Sequence, residues 1–230
     1  MRPLIAIAAV IALVVIAALA SAARSGQLGL STAPTPTPRV WAWPSPGPTD
    51  EPARSHPQLL SGFIVPLGGI DVPSEEQYLP NSPRAYRAGY HEGIDFPVPK
   101  GTPVLAAKAG TVSRVDSSFV DWSAEEAQAA FDAAQALGYT PAQTLDRLRG
   151  RQVWIDHGGG VVTRYAHLSA VEPVRIGDLV MQGQPVGAVG SSGFPEGGPH
   201  LHFEIRVGDD FYGDGLPLSQ LRYVLSAAFR

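Results

Sequence analysis

An antiparallel, mainly β domain is the architecture that this 230-residue sequence predicts. Its 25 glycines and 22 prolines favour many turns and short strands over long helices. Short runs rich in β-branched and aromatic residues recur between turn signals, and a single stretch carries helical spacing instead. The length suits one well-packed domain with appendages rather than two full domains.

The first element is an apolar stretch, residues 4–23, broken only by Ser21 and preceded by Met1-Arg2-Pro3. It has no polar face, which argues against a helix of a soluble core and for an export signal. Two readings stay open. Ala18-Leu19-Ala20 offers a small-residue cleavage site, while the apolar length is close to the ~20 residues that span a bilayer as a helix. A retained membrane anchor is slightly preferred over a signal peptide for residues 1–23. With Arg2 inside, everything beyond residue 24 lies outside the cytoplasmic membrane.

Residues 24–57 read as a linker, because Pro34, Pro36, Pro38, Pro44, Pro46 and Pro48 favour extended polyproline conformations. Trp41, Trp43 and His56 have no neighbouring pattern and are read as incidental to it.

The compact domain then occupies residues 58–230, with strands expected over 63–66, 103–107, 111–115, 152–156, 161–168, 174–176, 186–189 and 200–207. Between the third and fourth of these, Ser123-Ala124-Glu125-Glu126 has the form of a capping box. Ala127, Phe131, Ala134 and Leu137 follow at helical spacing up to Gly138. Thr140-Pro141-Ala142-Gln143 offers a second cap with Pro at the first helical position, leading through Leu145 and Leu148 to Gly150. Residues 123–149 are therefore a helical hairpin inserted between two strands.

Charge and chemistry narrow the function. A net charge of −4 without any basic run lacks the electrostatic footprint of a nucleic-acid binder. The absence of cysteine removes disulfides, thiolate catalysis and Cys-ligated metals together, so a metal would need histidine and carboxylate ligands.

Six histidines occur, and four of them sit in three settings that suit such a site. His91-Glu92-Gly93-Ile94-Asp95 places an imidazole and a carboxylate four apart where Gly93, Pro97 and Pro99 point to a loop entering a strand. Alone, that spacing equally describes a surface histidine near an aspartate. His200-Leu201-His202-Phe203-Glu204 says more, because alternate residues of a strand share a face. His200, His202 and Glu204 would point one way, and Leu201, Phe203 and Ile205 into apolar packing. Two imidazoles side by side are costly to bury without partners, which favours a metal or substrate site. In Tyr165-Ala166-His167-Leu168 the same alternation puts Tyr165 and His167 on one face. His157, before a glycine turn, is read as a hydrogen-bonding residue. Gly190-Ser191-Ser192-Gly193-Phe194 lacks the Lys-Ser or Lys-Thr and the helix of a phosphate loop, and is read as a flexible loop rimming the site.

The ordered set His91-x-x-x-Asp95, Tyr165-Ala166-His167-Leu168 and Gly198-Pro199-His200-Leu201-His202-Phe203-Glu204 resembles the lysostaphin-type (LytM-like) zinc metallopeptidases, over roughly residues 89–208. Gly101-Thr102-Pro103-Val104 and Gly177-Asp178 add to the resemblance. It implies a β-sheet groove, a zinc ion on its floor held by His91, Asp95 and His202, and His167 and His200 beside the scissile carbonyl in proton transfer and oxyanion binding. It also implies an extracytoplasmic endopeptidase acting on the peptides of bacterial peptidoglycan, with the membrane a further partner if the N-terminal helix is uncleaved. The alternatives are a non-catalytic module of the same fold that binds wall peptides or regulates cell division, and a domain in which zinc is only structural. The hairpin 123–149 departs from the family pattern and is expected to wall or cover the groove.

Overall fold

The computed structural model describes residues 59–230. The apolar segment 1–23 and the linker 24–57 lie outside the described residues. Among the described residues no helix is long and apolar enough to cross a membrane.

The domain is mainly β, with every strand pairing antiparallel. In chain order the strands are β1 (Pro83–Arg84), β2 (Gly89–Tyr90), β3 (Ile94–Phe96), β4 (Pro103–Leu105), β5 (Gly110–Asp116), β6 (Gln152–Asp156), β7 (Val161–Ala166), β8 (Leu168–Val171), β9 (Leu179–Val180), β10 (Pro185–Val189), β11 (Leu201–Val207) and β12 (Asp210–Phe211). The larger sheet runs β12-β11-β7-β6-β5-β9, with β3 also paired to β11; a smaller one runs β4-β10-β8, and β1 and β2 form a ribbon. The described chain also contains three α-helices, α1 (Ala124–Leu137), α2 (Ala142–Arg149) and α3 (Leu218–Ala228), and three single-turn 3-10 helices.

Most expected strands are present, and β6 occupies the predicted residues. Residues 63–66 and 174–176 form no strand. In the first, the Ile64 amide donates to the Ala107 carbonyl and the Pro66 carbonyl accepts from Leu105, so the segment is tied down irregularly while Phe63 enters the core. In the second, Val174 to Glu172 and Asp178 to Arg175 hydrogen bonds close the chain into turns before a ladder can start. The expected run 161–168 divides at His167, where the chain leaves the larger sheet for the smaller one.

The helical insertion is present between β5 and β6. Ser123 accepts from the Glu126 amide and the Glu126 carboxylate accepts from the Ser123 amide, a complete capping box, and Gly138 ends α1 at φ 74°. The second cap differs from expectation: Pro141 is the N-cap and no side chain caps α2, because the Thr140 hydroxyl is turned to the Arg87 carbonyl instead. Ala127 and Leu148 bury against Trp122, with Phe131 and Phe194 packed alongside. The edge of Phe131 meets Tyr86 at 5.3 Å, and Tyr86 stacks on Phe194 at 5.3 Å. This apolar cluster is separate from the main core and joins the insertion to the turn at Ala85–Arg87.

The main core draws on both sheets. Val112, Ile155, Tyr165, Phe203 and Ile205 come from the larger, and Val104, Leu168 and Val186 from the smaller. Helix α3 was not among the expected elements, and its Leu221, Val224, Leu225 and Ala228 are buried in the same core at helical spacing. Leu221, Val224 and Leu225 each contribute roughly 1.5–3 kcal/mol through this burial, and Ala228 less.

Candidate metal centre

Strand pairing builds the site. In the register between β3 and β11, Asp95 lies directly opposite His202. Gly93 permits this approach: a Cβ there would strike the Phe203 carbonyl and come 3.0 Å from Glu204 Cγ. His91 is set four residues before Asp95 by the ribbon, where its amide donates to Ser82 (2.8 Å) and its carbonyl accepts from Asn81 (2.9 Å).

Three candidate ligand atoms thereby converge. His91 Nε2 and His202 Nδ1 lie 2.9 and 2.8 Å from Asp95 Oδ1 and 3.1 Å from each other. The remaining ring nitrogens are occupied: His91 Nδ1–H donates to the Leu79 carbonyl at 2.9 Å and His202 Nε2–H to Glu204 Oε1 at 3.2 Å. The other oxygen of Asp95 accepts from Arg84 Nη2 at 3.0 Å. Each ligand is thus oriented by a partner behind it, the arrangement that fixes which atom a metal-binding residue presents.

The electrostatics of the metal-free site differ between the two histidines. Burial pushes His91 down to about 4, leaving it neutral with a free lone pair on Nε2. Burial also opposes the charge of Asp95, yet His91 and His202 hold its carboxyl well below the usual range. For His202 burial lowers the value, but Asp95 and Glu204 outweigh it and hold the imidazole up to about 9, so a metal binding at Nδ1 displaces the proton that this atom shares with Asp95. Two imidazole nitrogens and one carboxylate oxygen, backed by satisfied partners and open to a cleft, fit a metal with three protein ligands and a free position.

Two further imidazoles face the same cleft. His200 Nδ1–H donates to the Gly198 carbonyl at 2.9 Å, which leaves Nε2 facing the candidate ligands, 3.8 Å from Asp95 Oδ1. His167 Nδ1–H donates to the Ser192 carbonyl at 2.9 Å, and its ring lies 4.6 Å from that of His200. Burial, with His200 and His202 nearby, keeps His167 well below the ordinary histidine value and therefore neutral.

The alternation expected in Tyr165-Ala166-His167-Leu168 fails. Tyr165 pairs with Phe203 and lies in the core, as does Leu168, while His167 faces the cleft. The cause is a positive φ of 59° at His167, which interrupts the two-residue period where the strand changes sheets. Leu201, Phe203 and Ile205 are in the core as the alternation of β11 requires, with Glu204 on the side of His202. His157 bonds the Ala109 carbonyl and Thr163 Oγ1, in keeping with its hydrogen-bonding assignment. The Gly190–Phe194 loop does more than rim the site, since Ser192 fixes the tautomer of His167.

The cleft has a volume of about 440 Å³. The five site residues line it together with Tyr86, Leu145, Leu148 and Phe194, so the insertion supplies part of one wall. Sequence reasoning did not identify Arg84, Glu92 or Arg149 in this setting. Arg84 bonds Asp95, and Arg149 bonds both Glu92 and the fully buried Glu204. No local spacing links residues 84, 149 and 204; only the fold brings them together.

Fold and donor set together define a metal-binding cleft on an antiparallel sheet. The chain belongs to Peptidase family M23, whose family model matches residues 89–213. It is 34% identical over 117 residues to an uncharacterized metalloprotease of Haemophilus influenzae, covering 51% of this chain and 18% of that protein. It is 32% identical over 117 residues to the peptidoglycan DD-endopeptidase ShyC of Vibrio cholerae, covering 51% and 20%. The chain thus spans about a fifth of the length of these curated relatives. Among solved structures, the catalytic domain of lysostaphin from Staphylococcus simulans is 28% identical, with a TM-score of 0.37, covering 52% of this chain and 69% of that one.

Proposed function

We propose that this protein is a zinc-dependent endopeptidase that hydrolyses peptide bonds of bacterial peptidoglycan. The observation that carries the reading is the surplus of imidazoles. His167 and His200 stand beside a three-residue ligand set without belonging to it, whereas a purely structural metal closes its coordination with ligands. Membership of a peptidase family and likeness to a peptidoglycan endopeptidase support the substrate class.

Zinc held by His91, Asp95 and His202 would acidify a bound water towards a pKa of ~7 and polarise the scissile carbonyl. His167, neutral and anchored through Nδ1, offers Nε2 as a proton acceptor in the cleft. The proton that His167 accepts from the water would pass to the leaving amine, and His200, anchored the same way through Nδ1, would hold the carbonyl oxygen only when Nε2 also carries a proton. Asp95 lowers the net charge of the centre, which activates the carbonyl less than three neutral ligands would.

Incubation of the protein with purified peptidoglycan, followed by mass analysis of released fragments, tests the reaction. His91→Ala, Asp95→Ala and His202→Ala are expected to lose zinc and activity together. His167→Ala and His200→Ala should keep near-stoichiometric zinc while hydrolysis falls about 10²–10⁴-fold, the usual worth of a positioned proton-transfer group. Equal loss of zinc across all five would indicate a closed structural site. Binding of peptidoglycan without cleavage by the unaltered protein would favour a wall-binding module.

The apolar stretch 4–23 supports an extracytoplasmic place in the cell envelope, either membrane-anchored, which is slightly preferred, or secreted. A reporter active only in the cytoplasm, fused after Pro57, should be silent; a strong signal would overturn the placement.

A further inference from the structure

The insertion reaches the metal centre through one guanidinium. Arg149, the last residue of α2, is only 8% exposed and lies between two carboxylates from separate parts of the chain. Its Nε donates to Glu204 Oε1 at 2.6 Å, and its Nη2 donates to Glu92, the neighbour of His91. Glu204 Oε1 is the same atom that accepts the Nε2–H of His202. A single oxygen therefore joins the end of the inserted helix to a ligand of the metal.

Two other guanidiniums approach Glu204, but both address Oε2 and at longer range, Arg164 at 3.3 Å and Arg206 at 3.4 Å. Without Arg149, Oε1 would keep only His202 as a partner, and the carboxylate would be free to rotate towards the two cations on its other side. His202 would then lose the acceptor that sets its ring.

We propose that Arg149 is a positioning residue for the metal centre: it holds Glu204 Oε1 in place behind His202 and ties Glu92 into the same network beside His91. The inserted hairpin is then part of the support of the metal site as well as a wall of the cleft. This inference rests on the zinc reading above.

Another anchor of α2 provides the control. Asp146, three residues earlier, makes a two-pronged pair with Arg114 of β5 at 2.7 and 2.8 Å. Its removal loosens the same helix on the same sheet without touching Glu204.

The test measures zinc affinity of the full chain by competition with a chromophoric chelator, the absorption spectrum of the Co²⁺-substituted protein, and melting of the metal-free protein. Arg149→Met should weaken zinc binding by about 10–100-fold, the usual cost of losing a partner behind a metal ligand, and should alter the cobalt spectrum. Asp146→Ala should lower the melting temperature yet leave affinity and spectrum as in the unaltered protein. Glu204→Gln, which keeps an acceptor for His202 but loses the charged bond to Arg149, should also weaken binding. The double variant Arg149→Met/Glu204→Gln should be little worse than either single one, as expected for members of one network. Should Arg149→Met fail to fold, Glu204→Gln against Asp146→Ala decides the matter alone. Unchanged zinc affinity in Arg149→Met or Glu204→Gln, or an equal loss in Asp146→Ala, would overturn the proposal. An unaltered protein that binds no zinc would instead overturn the reading on which it rests.

Discussion

At His167 the backbone is held at φ 59°, a conformation that a residue bearing a Cβ adopts only when its surroundings impose it. Here the amide donates to the Arg149 carbonyl at 2.8 Å and the ring to Ser192, so the strain is fixed at both ends of the residue. The neighbouring Tyr165 shows how burial alone makes a residue sensitive to pH. Its phenol is fully buried, accepts from the Ala107 amide at 2.8 Å and from Thr163 Oγ1 at 2.9 Å, and is pushed up to about 12 by burial. A folded value above the unfolded one of ~10 means that the neutral phenol stabilises the fold below pH ~10, and that this contribution is lost as pH rises towards 12. The amount is about 3 kcal/mol. Urea unfolding of the protein and of Tyr165→Phe between pH 9 and 12 isolates it, since the stability difference between the two should shrink by about that amount. A difference that stays constant over this range would contradict the assignment.

Between elements, the distance from β3 to β11 controls the site. Asp95 and His202 face each other only because Gly93 lets the two strands close, and any side chain there meets the Phe203 carbonyl and Glu204. Gly93→Ala should therefore cost about 1–3 kcal/mol, in the range of overpacked cores, and should weaken metal binding as the pair separates. Denaturant melts and chelator competition measure the two effects, and an unchanged metal affinity would show that the strands tolerate the shift. The insertion behaves differently from the strands. Its capping box was legible because a cap depends on residues three apart, whereas the fate of Thr140 was not, because its hydroxyl is taken by Arg87, 53 residues away.

For the molecule as a whole, the division of apolar contacts has a consequence for stability. One cluster spans both sheets and α3; the other, around Trp122, Ala127 and Leu148, lies under the insertion. Segments resting on few buried contacts open at lower free energy than the central strands. Hydrogen exchange should then show α1 amides exchanging well before those of β6, β7 and β11; equal protection would mean that the insertion unfolds only with the core. Sequence alone determined the mainly β class and the place of the inserted hairpin, because these follow from turn residues and period, while the set of five residues that meet in the cleft came from the resemblance of the ordered motifs to lysostaphin-type metallopeptidases. His91 and Asp95 were the weak case, since a four-residue spacing in a loop has no direction until β3 pairs with β11. Helix α3 could be read from the spacing of Leu221, Val224, Leu225 and Ala228, but its part in the core could not. Tertiary structure alone decided the left-handed turn at His167, the placement of Arg84 behind Asp95, and the link from Arg149 through Glu204 to His202. These are contacts between residues far apart in the chain, and hydrogen-bond geometry across such distances leaves no local pattern in the sequence.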